Sequence, residues 1–226
     1  MRLRLNRRGI LEGTRHIDSP NSDERPPGCA IELLVIHHIS LPPSQFGGDA
    51  IEAFFTNRLD PDAHPFFATI AGLKASAHFL VRRDGEVLQF VPCDKRAWHA
   101  GESSWNGRPR CNDFSIGIEV EGDGDTPFTQ AQYQRLAALT RVLIQRYPIA
   151  DIVGHSDIAP SRKFDPGPQF DWSRYRAMID VGGCRERKGQ NKRPGALRNR
   201  AQARPPRART GRKATRRRST ARKPKR

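Results

Sequence analysis

The sequence predicts an α/β domain in which a mixed central β-sheet is flanked by helices, followed by a long basic tail. Three observations support this. Short apolar runs rich in branched residues, of strand length, recur at 31–38, 114–121 and 149–154. Segments with helical spacing and N-cap signals separate them. At least one hairpin interrupts the alternation, so the sheet is mixed rather than wholly parallel.

Charge divides the chain before any element is considered. From Arg185 to Arg226 there are 19 Lys or Arg against one Glu, a net of +18, while the whole chain carries +16. Residues 1–184 are therefore close to neutral, with 21 basic and 23 acidic groups. The tail has few apolar residues and no period, so residues 181–226 are expected to be disordered, either attracting nucleic acid or another polyanion in a salt-dependent way or serving as a solvated extension with no dedicated partner. No run of eighteen apolar residues offers a transmembrane span. The basic N-terminus leads into charge and proline rather than an apolar core, which argues against a secretory signal. Cys29, Cys93, Cys111 and Cys184 are scattered without a Cys-x-x-Cys pair. Reduced thiols and a cytoplasmic location are the expectation.

In chain order, residues 1–28 mix charge with proline and read as an extended or partly ordered arm. Ile31–His38 is a buried strand that delivers two adjacent histidines at its end, and alternation lets only one of them face a given site. Pro42, Pro43, Gly47 and Gly48 form a loop. Asp49 with Glu52 looks like a capping box for a helix from about residue 50 to 59. After a proline break, 66–73 is a short helix or a packed apolar loop. Residues 76–91 carry the strongest hairpin signal, since Asp84-Gly85 supplies the positive φ of a tight turn between apolar runs. Residues 97–107 form a glycine- and serine-punctuated loop with Trp98 and Trp105, flat apolar faces suited to a sugar- or peptide-binding cleft.

Phe114–Gly122 is the next strand, with Ser115, Gly117, Glu119 and Glu121 on one face. Thr129 with Gln132 caps a helix to about Tyr147. Phe128 and Tyr133 are placed as a staple, and Tyr133, Leu136, Ala137, Thr140, Leu143, Ile144 and Tyr147 form its core side. A short strand over 149–154 ends at His155. The proline-stiffened stretch 155–168 is expected to hold its shape without helix or strand. Asp171 caps a last helix from Trp172 to about Asp180. The domain boundaries are an arm over 1–28, a domain over 29–180 and a tail over 181–226.

His37 and His155 each end a buried strand, where side chains from separate strands converge. With Asp165 they make two imidazoles and a carboxylate, a suitable set for catalytic zinc with a fourth position open to water. Glu119 and Lys163 are the natural proton carrier and oxyanion partner. His16, His64, His78 and His99 read singly as hydrogen-bonded structural histidines. No Gly-x-Ser-x-Gly elbow, phosphate-binding loop, dinucleotide fingerprint or His-Glu-x-x-His occurs.

The phrases LLVIHHISLPPSQFGG, LDPDAHPFFATIAGLKASAHFLVRRDGEVLQFVPCDKRAWHAG, RCNDFSIGIEVEG and GHSDIAPSRKFDPGP, in this order and spacing, closely resemble the AmpD family of cytoplasmic N-acetyl-anhydromuramyl-L-alanine amidases. That family lies within the zinc amidase and peptidoglycan-recognition superfamily. The resemblance covers roughly residues 29–180. It implies Zn²⁺ held by His37, His155 and Asp165, a catalytic pair in Glu119 and Lys163, and hydrolysis of the lactyl–L-Ala amide of anhydromuramyl peptides during cell-wall recycling. Arg110 resembles the family arginine that pairs with stem-peptide carboxylates, and Trp98 lies where an aromatic would touch substrate. Two positions depart from the pattern. His38 stands where Asn is usual, and Lys74 replaces an Arg, which keeps the charge but loses the bidentate fork. An amidase acting on intact peptidoglycan and a non-catalytic muropeptide-binding protein are the alternatives.

Overall fold

The computed structural model describes residues 3–180. The tail expectation, with Cys184, lies outside the described residues. In chain order the elements are β1 (Arg15–His16), β2 (Ser22–Glu24), β3 (Leu33–Ile39), α1 (Ala50–Phe55), α2 (Pro65–Thr69), β4 (Phe79–Val81), β5 (Val87–Gln89), β6 (Lys95–Ala97), β7 (Ser104–Trp105), β8 (Arg108–Pro109), a 3-10 turn at Cys111–Asp113, β9 (Ser115–Glu121), α3 (Gln130–Arg146), β10 (Asp151–Gly154), α4 (His155–Ile158) and α5 (Trp172–Asp180).

The six-stranded sheet has the order β1-β5-β4-β9-β3-β10. Only the β4–β5 hairpin is antiparallel; the other neighbours pair in parallel. The mixed sheet follows from the turn chemistry. Gly85 has φ +88°, and Asp84 Oδ1 accepts the Glu86 N–H at 2.8 Å. β9 is buried along its whole length and joins β4 to β3. One face of the sheet packs Leu34, Ile36, Phe79, Ile116, Ile118 and Val120 against Tyr133, Leu136 and Leu143 of α3 and Tyr175 of α5. The other face holds a second apolar cluster with Phe54 and Phe55 of α1. Because β4, β9, β3 and β10 run the same way, their C-terminal ends share one edge, the usual address for ligand contacts on such sheets.

α3 follows its sequence signals closely. Thr129 Oγ1 accepts the Gln132 N–H at 3.1 Å, and Gln132 Oε1 accepts the Thr129 N–H at 3.0 Å. Phe128 and Tyr133 stand 6.5 Å apart, ring centroid to centroid. Ile144, expected on the core side, is instead 39% exposed, because the buried stripe has turned towards Leu143 and Tyr147.

Three other expectations are corrected. α1 ends at Phe55, and Asp49 makes no side-chain cap. Its partner in the supposed capping box, Glu52, turns inward to Arg82 at 2.8 Å and Arg15 at 2.6 Å, since a buried carboxylate needs a cation more than a helix needs a cap. The 155–168 stretch contains one helical turn, α4. There the Asp157 carboxylate accepts the Gly154 N–H at 2.7 Å and so starts the helix at once after the strand. The arm is folded onto the domain. β1 pairs with β5, β2 pairs antiparallel with β6, Leu11 is fully buried, and the Arg25 guanidinium reaches the carbonyls of Cys93, Asn112, Asp113 and Ser115. Residues 3–28 thus contribute a sheet edge and a clamp, and lie in the same compact unit as the rest of the described chain.

Cys29, Cys93 and Cys111 are free thiols. Among the described residues no helix is long and apolar enough to cross a membrane.

Candidate metal centre and active site

β3 and β9 set the first two positions. Their parallel register puts His37 directly beside Glu119 at the C-terminal end of the sheet. β10 lies on the other side of β3, with Gly154 opposite Ile36. His155, the first residue of α4, therefore arrives next to His37. The returning loop then brings in Asp165, and its carbonyl accepts the Ser156 N–H at 3.0 Å. Backbone hydrogen bonding thus closes the ten-residue excursion and fixes the carboxylate over the strand ends.

The result is a buried triangle. His37 Nδ1 lies 2.9 Å from His155 Nδ1 and 3.1 Å from Asp165 Oδ2, and His155 Nδ1 lies 3.0 Å from the same oxygen. All three residues are buried and offer their ligand atoms to one point. Ligand atoms about 2.0–2.1 Å from a tetrahedral zinc ion stand roughly 3.3 Å apart, so this spacing is within a few tenths of an ångström of a metal site. Two imidazole nitrogens turned towards each other and a carboxylate out of water are also what a divalent cation stabilises. The donor set fits such an ion.

Protonation agrees with this. Burial pulls the His37 imidazole down to about 4, which leaves a neutral ring with a lone pair to offer. Burial alone would raise the Asp165 carboxyl, but hydrogen bonds to His155 and His37 outweigh it and hold the group well below the usual carboxylate range. Glu119 behaves in the opposite way. Burial pushes its carboxyl well above the ordinary value, the Asp165 charge adds to the rise, and the Lys163 charge opposes it. Its Oε2 is buried with no hydrogen-bond partner, an orphaned acceptor at the edge of the triangle's strands. Lys163 acts electrostatically on both Glu119 and His37.

Glu121, expected on the same face as Glu119, has a different occupation. Its Oε1 takes Arg82 at 3.0 Å and the Gly47 N–H at 2.7 Å, which ties the loop after β3 to β9. One carboxylate of the pair is committed to structure and the other is left without a partner.

The four expected substrate-contact residues have separate settings outside the triangle. His38 points where alternation sends it, with Nδ1 3.1 Å from the Pro166 carbonyl and its ring edge-on to Phe164. Trp98 is half-buried, its backbone N–H on Ser76 Oγ at 3.0 Å. Arg110 is exposed, in the left-handed region at φ +62°, and pairs with Asp113 at 3.1 Å. Lys74 is exposed and lines a small cavity with Phe54, Phe67 and Leu73.

Sequence reasoning missed His99. Read as a structural histidine, it is buried with its Nδ1 3.0 Å from His37 Nε2. No spacing rule reveals such a contact, because the two residues meet only through the crossing of a loop over β9.

His78, by contrast, does belong to the frame. It accepts the Gly117 N–H on Nδ1 at 3.0 Å, and its Nε2 lies 3.1 Å from the Lys95 carbonyl. Burial, helped by the neighbouring Arg25 charge, pulls its imidazole down to about 3. An unfolded histidine titrates near 6.5, so between these values the unfolded chain binds a proton that the folded chain refuses. Stability is then fully present above about 6.5 and is lost as pH falls towards 3. Denaturant titrations of metal-free protein should show unfolding free energy dropping by about 1.4 kcal/mol per pH unit for each such imidazole below that point. A flat profile between pH 7 and pH 5 would contradict the assignment.

Comparison with known proteins agrees with the geometry. Residues 27–168 match the family model Amidase_2, N-acetylmuramoyl-L-alanine amidase. The chain is 62% identical over 180 residues to the 1,6-anhydro-N-acetylmuramyl-L-alanine amidase AmpD of Enterobacter cloacae, covering 79% of this chain and 96% of that protein. It is 59% identical to the AmpD of Escherichia coli K12, over 76% of this chain and 94% of that one. Its fold superposes on a crystal structure of a selenomethionine AmpD derivative with TM-score 0.76 and 59% identity, covering 77% of this chain and 98% of that one. A complex of Escherichia coli AmiD with anhydro-N-acetylmuramic acid-L-Ala-D-gamma-Glu-L-Lys aligns at 31% identity and TM-score 0.50, over 78% of this chain and 65% of that one. With a family model matching residues 27–168 and relatives this similar over nearly their whole length, the chain belongs to the N-acetylmuramoyl-L-alanine amidase family.

Proposed function

We propose that this amidase is zinc-dependent and hydrolyses the amide between the lactyl group of anhydro-N-acetylmuramic acid and L-alanine, in cell-wall recycling. The observation that carries the chemistry is the buried triangle of His37 Nδ1, His155 Nδ1 and Asp165 Oδ2 beside an unpartnered Glu119 carboxylate. The choice of substrate rests on likeness to the AmpD amidases, which cover almost the whole described domain.

His37, His155 and Asp165 would hold the ion, and the charge of Asp165 offsets part of the dication's charge inside a dry site. When bound, zinc supplies a Lewis acid that polarises the scissile carbonyl and lowers the pKa of water at the site towards ~7. Glu119 Oε2 takes the proton from the attacking water and hands it to the leaving nitrogen of L-alanine. A carboxyl raised by burial is a stronger base than an exposed one, which suits it to taking the proton before passing it on. The Lys163 ammonium faces the negative charge that develops on the carbonyl oxygen. Arg110, Trp98, Lys74 and His38 are the candidates for contacts to sugar and stem peptide.

The competing reading is an amidase of intact peptidoglycan. Purified protein incubated in parallel with an anhydromuramyl tripeptide and with whole sacculi is expected to release free stem peptide from the first far faster. Faster release from sacculi would reverse the order of the two readings.

A further inference from the structure

Each of the two imidazoles has a second nitrogen, and both second nitrogens end on consecutive residues of one loop. His37 Nε2 lies 3.0 Å from His99 Nδ1, and His155 Nε2 lies 3.1 Å from the Ala100 carbonyl. We propose that the 98–101 loop is the positioning element of the metal centre, with the His99 ring and the Ala100 carbonyl fixing the tautomer and ring plane of His37 and His155. This inference rests on the metal reading given above.

The direction of each bond follows from donor and acceptor counting. A neutral imidazole that offers Nδ1 to a cation carries its hydrogen on Nε2. His37 therefore donates from Nε2, and His99 must accept on Nδ1. His99 then carries its own hydrogen on Nε2, which donates to Ser115 Oγ at 3.1 Å. The same logic makes His155 donate to the Ala100 carbonyl. Both acceptors are buried, so once Nδ1 is committed to a cation each imidazole has one proton position that leaves no polar atom orphaned.

The loop itself is clamped. Asn112 Oδ1 accepts the N–H groups of both His99, at 3.2 Å, and Ala100, at 2.8 Å. Arg162 donates to the Ala100 carbonyl at 2.9 Å. Beneath the His99 ring, β9 presents Gly117, and a Cβ there would fall 2.4 Å from His99 Cγ. Only glycine leaves room for the ring between the strand and His37. Asn112, Arg162 and Gly117 thus converge on the placement of one imidazole and one carbonyl, which act through the metal-binding rings rather than on substrate.

The test compares His99→Leu, which fills the space but accepts nothing, with His99→Asn, whose Oδ1 can stand where Nδ1 stood. Zinc affinity, measured by competition with a chromophoric chelator, should fall roughly 10- to 100-fold in H99L and recover to within a few-fold of the parent in H99N. At saturating Co²⁺ the visible ligand-field bands should shift in H99L and return in H99N, a change that a purely structural role would not produce. Nitrogen-15 shifts of the imidazoles in the zinc-loaded parent provide a readout that needs no variant to fold, and they should show His37 and His99 both protonated on Nε2. Parental zinc affinity and cobalt spectrum in a folded H99L protein, or a His99 protonated on Nδ1, would overturn the inference. If the parent itself takes up no metal, the metal reading fails instead, which is a different result.

Discussion

Glu119→Gln should leave zinc content unchanged and lower turnover of anhydromuramyl peptide by about 10²- to 10⁴-fold, the range over which a positioned acid–base group acts. The substitution keeps the volume of a buried side chain at the end of β9 and removes only the capacity to accept and return a proton. Because Glu119 contributes no atom to the triangle of ligands, metal content and catalysis separate cleanly. The acid limb of the kcat/KM profile gives a second reading. A base must be deprotonated, so activity falls as pH drops through its pKa. Burial and the Asp165 charge raise that pKa, so the limb stands above the ordinary carboxylate range. The limb should vanish in the variant. Parental turnover in E119Q, with metal retained, would move the proton carrier to another residue.

His37→Ala should abolish both metal retention and activity. The ring is 1% exposed and supplies one of three ligand atoms, so its loss leaves two donors for an ion that needs at least three from the protein. Asp165 also loses one of the two hydrogen bonds that outweigh its burial, so its carboxyl should titrate higher. Metal analysis after dialysis is expected to find zinc at background in H37A and near one equivalent in the parent. Adding a chelator to the parent should reproduce the loss of activity, and restoring zinc should recover it. An H37A protein that keeps one equivalent of zinc and parental turnover would show that the centre lies elsewhere.

Local chemistry explains which elements the sequence made legible. The α3 helix could be placed from Thr129, Gln132 and Phe128, because a capping box and a staple act within a few residues of one another. The β4–β5 turn could be placed from Asp84-Gly85 for the same reason. β3 was visible because a strand buried on both faces reads as an unbroken apolar run. Where the reading failed, a distant partner had outbid the local one. Glu52 left the cap of α1 for Arg82, and Asp157 started a helical turn that prolines seemed to forbid. The arm looked too charged to fold, yet Arg25 spends its charge on four carbonyls and Leu11 is buried, contacts that span more than sixty residues.

The sequence alone determined the identities of the chemical groups and their delivery to the ends of strands. Period-2 alternation allows only one of His37 and His38 to face the site, and the register of β3 against β9 confirms that choice by pairing His37 with Glu119. Tertiary structure alone decided which carboxylate stays free and which histidine supports another. Glu119 and Glu121 are equivalent along the strand, but only the second meets Arg82. Among the histidines read singly as structural, only His99 crosses β9 at a glycine and reaches a ligand ring. The physical reason is range. Caps, turns and alternation act over two to four residues, whereas the desolvation that raises Glu119 and orients His37 depends on groups brought together from across the whole domain.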